Sequence, residues 1–238
     1  MDLLTVSNGN TKLDKRNIFS LPAGITCPGA KECKSFALML NGKTTIQDGP
    51  NCLFRCYASS QETQYPNVYR SRHENLRKIV KAIRAGNAAE LIDKSLDKRL
   101  KLTRVHESGD FYSFDYLKAW IRVAELNPKN DFYFYSKSLN FFLDLGLPKN
   151  MYLTASHGGK FQNLIDYFSR TSKVIFKESE ANGLPIDHDD SNCFIEGDHH
   201  FCHLLHGTQP QGSEASKQLA IRKKAKKTNS TIFTGYSK

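Results

Sequence analysis

Residues 102–128 read LTRVHESGDFYSFDYLKAWIRVAELNP and place two different periodicities side by side. The opening is a short apolar run that ends in polar groups, the pattern of a buried strand. After Gly109, which permits a tight turn, Phe114, Leu117, Ile121 and Ala124 recur on one helical face. Ser113 is placed to cap that helix and Pro128 to stop it. The stretch is therefore a β-α unit.

The same rhythm continues toward the C-terminus. DFYFYSKS, NMYLTASHGG, SKVIFKES and HFCHLLHGTQPQGS read as strands, while LNFFLDLGLP, KFQNLIDYFSR and SEASKQLAIRKKAKK read as the helices after them. Upstream, SRHENLRKIVKAIRAG spaces Leu76, Ile79, Val80 and Ile83 as a helix that ends at Gly86, and NAAELIDKSLDKRL makes a shorter one. Strands alternating with helices imply an α/β fold with a mostly parallel sheet, open or closed into a partial or full TIM-like β/α barrel. We expect one domain: an irregular cysteine-bearing segment over 1–70, a β/α core over 71–228 and a tail over 229–238.

The chain has 238 residues, 39% hydrophobic and 24% charged, which suits a globular domain rather than a disordered one. The first residues lack the pattern of a secretory signal, and no apolar run is long enough to span a bilayer, so the expected location is the cytoplasm. Lys plus Arg exceed Asp plus Glu by 34 to 24, a net charge of +10. Six of those cations, Lys217, Arg222, Lys223, Lys224, Lys226 and Lys227, lie in KQLAIRKKAKK without an acid among them. That segment is either a solvated basic helix end or a contact for nucleic acid.

In parallel β-α architectures the reactive groups sit at the carboxyl ends of the strands. Those ends carry His106, Glu107, Ser108 and Asp110, then Ser136, Lys137 and Ser138, then Ser156 and His157, then Lys177 and Glu178, then His206 and Thr208. His106 and Asp110 are candidates to position a ligand or transfer protons, and Lys137 and Lys177 to offer charge to an anionic group. Ser108, Ser136 and His157 are candidate cofactor-binding groups. A second cluster, His188, His199, His200, His203 and His206 among Asp187, Asp189, Asp190 and Asp198, carries metal-binding residue types without standard ligand spacing. It reads better as a polar loop. A metal-dependent nuclease using His106, Asp110 and this loop ranks lower, because no nuclease motif is present.

Four of the six cysteines, Cys27, Cys33, Cys52 and Cys56, fall in the irregular segment. A segment with little core needs something else to fix it, and clustered cysteines in a reducing compartment are more often metal ligands than disulfides. The C-x2-C knuckle that zinc favours is missing, and the wider spacing suits an iron-sulfur cluster such as [4Fe-4S], with zinc as the alternative. Cys202 reads as a small core residue. Cys193 is a ligand, an idle thiol or a spatial neighbour of the other four.

CLFRCYAS resembles the C-x3-C-x2-C triad of radical S-adenosylmethionine enzymes, except that Ser59 stands in the third position. The resemblance implies a cluster with one iron open to S-adenosylmethionine, completed here by Cys27 or Cys33. Across most of the chain, NGNTKL, FSLPAGITCPGAKEC, CYAS, RVHESGDFYSFDYLKAW and LLHGTQPQGS together resemble the bacteriophage gene eighty-eight product family. That resemblance implies phage origin, an infected host cell as the location, and signature positions at Cys27, Cys33, Cys52, Cys56, Arg104, His106, Ser108, Gly109, Asp110 and Phe111. The function expected is a cluster-binding phage protein on a radical S-adenosylmethionine-like scaffold that takes an unidentified small-molecule or nucleic-acid ligand. The alternative is a nucleic-acid or host-factor binding protein with a structural zinc or cluster. No membrane partner is expected.

Overall fold

In the computed structural model, which describes residues 2–10, 13–229 and 231–234, strands and helices follow one another in the order anticipated from residue 71 onward. The elements are β1 (Val6–Ser7), β2 (Asn17–Phe19), β3 (Ser35–Leu40), β4 (Lys43–Asp48), α1 (Tyr57–Gln64), α2 (Pro66–Arg84), α3 (Ala88–Ser95), β5 (Leu102–Arg104), α4 (Phe114–Leu126), β6 (Asp131–Ser136), β7 (Met151–Ser156), β8 (Arg170–Ile175), β9 (His199–Leu204) and α5 (Glu214–Lys226). Seven strands form one sheet in the order β1-β2-β5-β6-β7-β8-β9. Only the β1–β2 pairing is antiparallel; the other five are parallel. Among the described residues the sheet ends at β1 and β9, which do not pair, so it is open and does not close into the expected barrel.

Alternation along β6 assigns the two faces. Phe132 and Phe134 point toward the helices, where they join Phe19, Val105, Leu117, Trp120, Val123 and Ile79 in the main core. Tyr133 and Tyr135 point the other way, toward Cys193 and Phe201. The Ser113 hydroxyl accepts from the Tyr116 N–H at the start of α4, as its position predicts. Two expected helices are only 3₁₀ turns, Leu139–Phe141 and Gln162–Tyr167. In the first, Asp144, Gly146 and Pro148 leave no room for a second turn.

The N-terminal segment is more ordered than its composition predicts. It contributes β1 and β2 to the sheet, the β3–β4 hairpin, α1 and the start of α2. Asn17, Ile18 and Phe19 of β2 are all buried, and three residues buried on both faces carry no alternation to read. α1 escaped for a related reason: its inward residues are Ala58, Ser59, Ser60 and Glu62, which make no apolar stripe. Of the expected tail, residues 230 and 235–238 lie outside the described residues. No helix among the described residues is long and apolar enough to cross a membrane.

Backbone contact across the strand ends holds this segment down. The Leu21 N–H donates to the Ser108 carbonyl (2.9 Å), Lys160 N–H to Gly29 (2.8 Å) and Glu32 N–H to Gly158 (3.0 Å). Gly29 lies so close to the Lys137 carbonyl that a Cβ on it would clash with backbone. Gly29→Ala is therefore expected to cost about 1–3 kcal/mol of stability in urea unfolding. Gly146→Ala, where a Cβ has open space, is the control and should stay within about 0.5 kcal/mol. Equal midpoints for the two variants would show that the docking is loose.

Candidate functional site

The docked segment roofs a cavity of about 1140 Å³ on the sheet face opposite α4, at or above the roughly 300–1,000 Å³ of small-molecule sites. Its walls are the carboxyl ends of the parallel strands, α1 and the start of α2 on one side, and α5 on the other. Cys27, Cys33 and Cys56 line it together with Ser108, Asp110 and Lys137. The expectation that strand ends converge on one polar space holds for these residues.

All six cysteines are free. The Cys27 thiol is pushed well up by burial, then by nearby Asp110 and by Cys56 and Cys33. Cys56 is pushed up to about 12 by burial and by Cys33. Cys27 and Cys56 thus both lie within electrostatic reach of Cys33. Cys52 does not line the cavity: its thiol donates to the Phe54 carbonyl (3.2 Å) and is pushed up to about 11 by burial, then by Asp48 and by Cys33, which it also lies near. Ser59 is fully buried between the Ser35 hydroxyl (2.9 Å) and the Cys56 carbonyl (2.7 Å), so it braces the loop and does not face the cavity. Among the described residues no three His, Cys, Asp or Glu side chains are grouped so that they could hold a single metal ion.

Asp110 is the best-anchored carboxylate at the strand ends. It accepts from the Ser136 hydroxyl (2.7 Å), the Lys137 N–H (2.8 Å) and its neighbour's Phe111 N–H (2.7 Å), which joins the end of β5 to the end of β6. Ser136 serves this bond and does not line the cavity. The Lys137 ammonium lines it but donates to the His157 carbonyl. His157 lies on the opposite side of β7 from Ser156; its ring bonds Thr171 (3.2 Å) and Gln162 (3.0 Å) and stays off the cavity. Lys177 is solvent-exposed, because Phe176 before it packs edge-on against Phe54 and the chain then turns outward.

His106 borders the cavity, yet its ring packs among Phe19, Phe111 and Tyr116, with Nε2 bonded to the Tyr116 hydroxyl (2.8 Å). Its backbone sits at φ 110°, in the region that disfavours L residues. Burial first, and then the Arg104 guanidinium, push the imidazole down to about 3. It is a neutral core residue and not poised for proton transfer at neutral pH.

Two buried ion pairs were not legible beforehand. Arg104 lies over Tyr135 (4.5 Å) and Tyr133 (5.4 Å) and pairs with Asp190, which both tyrosine hydroxyls also reach. Arg72 pairs with Glu62 (3.0 Å), whose carboxylate also takes the Ala23 N–H (2.8 Å). For the first pair the signals were the alternating tyrosines in DFYFYS and the singling out of Arg104 by the family resemblance, neither of which joins Arg104 to Asp190; the second has none. In the His/Asp-rich loop, Cys193 is a buried thiol donating to the Tyr135 hydroxyl (2.9 Å), and Cys202 is a core residue as expected.

The state of His106 is testable. Its folded value lies below the ordinary 6.5, so the unfolded chain binds a proton that the folded chain refuses. Stability contributed by the neutral ring is lost as pH falls from about 6.5 toward about 3, by at most ~1.4 kcal/mol per pH unit. In heteronuclear NMR the His106 ring should remain neutral at pH 5; a ring titrating near pH 6 would contradict the packing described.

Neither a curated protein nor a solved structure matches the chain. A family model described as gene product 88 matches residues 3–225, which spans the sheet, the cysteine loop and most of α5. The chain therefore belongs to the gene product 88 family, a phage family.

Proposed function

We propose that this phage protein binds an iron-sulfur cluster of the [4Fe-4S] type through Cys27, Cys33 and Cys56, on a scaffold laid out like that of radical S-adenosylmethionine enzymes. One observation carries the reading: three thiols, and no fourth, share the wall of a single large cavity at the carboxyl ends of parallel strands. Three thiolates leave one iron of a four-iron cluster without a protein ligand. The group, when bound, would supply an electron to a ligand held at that open position.

The spacing of the cysteines in the chain, without a C-x2-C knuckle, supports a cluster over zinc. A single zinc ion needs its ligands about 2.3 Å away on a tetrahedron, and no group of three among the described residues is so arranged. A four-iron core spreads its ligands farther apart. The raised thiols of Cys27 and Cys56 suit either metal equally, since metal binding replaces their protons.

The chain's own groups would order the ligand beside the open iron. Asp110, with its lone pairs already taken by three donors, fixes the loop that presents Ser108. Ser108 lines the cavity with its hydroxyl 3.3 Å from Glu62. The paired Arg104 and Asp190 give the cavity a polar floor without net charge. S-adenosylmethionine is the ligand that the scaffold resemblance suggests, and the cavity is large enough for it together with a second molecule.

Protein purified without oxygen should be brown and contain iron and sulfide in equal amounts. Cys27→Ala, Cys33→Ala and Cys56→Ala should each lose the colour, and Cys52→Ala should keep it. A colourless wild-type protein with one equivalent of zinc would sink the reading. Cleavage of added S-adenosylmethionine under a strong reductant then separates an enzyme from a purely structural cluster.

A further inference from the structure

The rim of the cavity is unlike its interior. Inside, most of the acids have partners: Asp190 pairs with Arg104, Asp110 takes three donors and Glu107 faces Arg72 (3.7 Å), while Asp187 takes the N–H groups of Asp189 (3.0 Å) and Asp190 (2.9 Å) on Oδ1 and leaves its buried Oδ2 without a hydrogen bond among the described residues. At the rim, exposed lining residues come from the N-terminal strand region (Thr5, Ser7, Asn10), from Val174 on β8, from Gly207 and Thr208, and from two helical elements. Gln64 and Tyr65 stand at the α1–α2 junction, and Ala220 and Lys223 stand on α5.

α5 continues this edge with exposed Lys217, Lys224 and Lys226, followed by exposed Lys227. Among the described residues none of these five lysines pairs with a carboxylate; Glu214, the helix's one acid, is bonded to Gln218 (2.7 Å). At 1.5 Å rise per residue, Lys217 and Lys227 are about 15 Å apart, a span of two to three nucleotides of an extended strand. Across the mouth Tyr65 is 46% exposed. A half-exposed aromatic ring at the mouth of a polar cavity is a surface on which a planar base can stack.

We infer that the ligand of this cavity is a single strand of nucleic acid, with its phosphates along Lys217, Lys223, Lys224, Lys226 and Lys227 and one base drawn past Tyr65 into the cavity. A folded acidic protein matches the lysines as well, but gives Tyr65 nothing flat to stack on. Duplex holds its bases away from the rim, and reaching the cavity would require unstacking one. The inference names the substrate class for the proposed cluster site and rests on that reading only for what happens after binding. Binding itself is measured on full-length protein without any cluster, so the two can fail separately.

The test uses fluorescein-labelled 20-nucleotide single-stranded DNA and RNA of mixed sequence, read by anisotropy between 50 and 200 mM salt. Affinity should fall with salt, and the slope of log K against log salt should shrink by about 0.7 for each lysine-to-glutamine change that removes a phosphate contact. Tyr65→Ala should weaken binding roughly tenfold while leaving the salt slope unchanged. All substituted positions are exposed, and unaltered thermal midpoints will confirm that the variants fold. The DNA and RNA arms decide which sugar is accepted. Equal affinity for labelled poly-glutamate, tighter binding of the matching duplex, or no response to Tyr65→Ala would each overturn the inference.

Discussion

Everything at the site depends on how closely Gly29 approaches the carbonyl of Lys137. The segment that carries the cysteines brings little apolar core beyond Leu21 in the main core and Phe54 against Leu205 and Ala215, so much of its position comes from backbone touching backbone. Glycine at 29 permits that approach to β6; Gly109, at φ +92°, lets the β5 turn lie against Leu21 and Thr26; and Gly158, at φ +76°, makes room for Glu32. Each hydrogen bond across these contacts contributes only about 1 kcal/mol net. Their geometry, however, transfers the rigidity of the parallel sheet to Cys27 and Cys33. The Lys34 ammonium completes the loop from behind by donating to the Gly24 and Cys27 carbonyls.

The same constraint explains which parts of the molecule could be read from sequence. Helices with a cap, an apolar stripe and a stop, such as α4, announce themselves, because one face must be buried and the ends must be satisfied. Parallel strands of six residues were legible as short apolar runs. β2 was not, since three residues buried on both faces show no alternation, and α1 was not, since alanine and serine make its packing face. Both omissions lie in the segment whose structure is imposed by contacts far away in the chain.

At the site, residue type was a better guide than residue number. Strand ends do bring Cys27, Ser108, Asp110 and Lys137 to one cavity, but pleating sends alternate residues to opposite faces. Ser156 therefore faces the cavity while His157 does not, and Phe176 takes the inward place that leaves Lys177 in solvent. His106 turned to the core because its ring completes an aromatic cluster with a hydrogen-bond partner in Tyr116. Cys52 and Cys56 are four residues apart, yet only Cys56, at the start of α1, is turned to the cavity; Cys52 lies in the turn before it.

The electrostatics of the cavity follow from how it is kept polar. A buried ion pair such as Arg104–Asp190 is seldom worth much as stability, because desolvating both charges offsets most of their attraction. Losing one partner is costly, so the pair holds the loop of Asp190 against the floor formed by Tyr133 and Tyr135. With these charges cancelled internally, the field inside depends on what is added at the roof. The thiols of Cys27 and Cys56 resist ionisation, and coordination would remove their protons and leave negative charge beneath the cysteine loop. The uncancelled lysines of α5 lie at the opposite boundary, the mouth. The site thus has a roof suited to a metal centre and a rim suited to an anion, with a neutral polar floor between them.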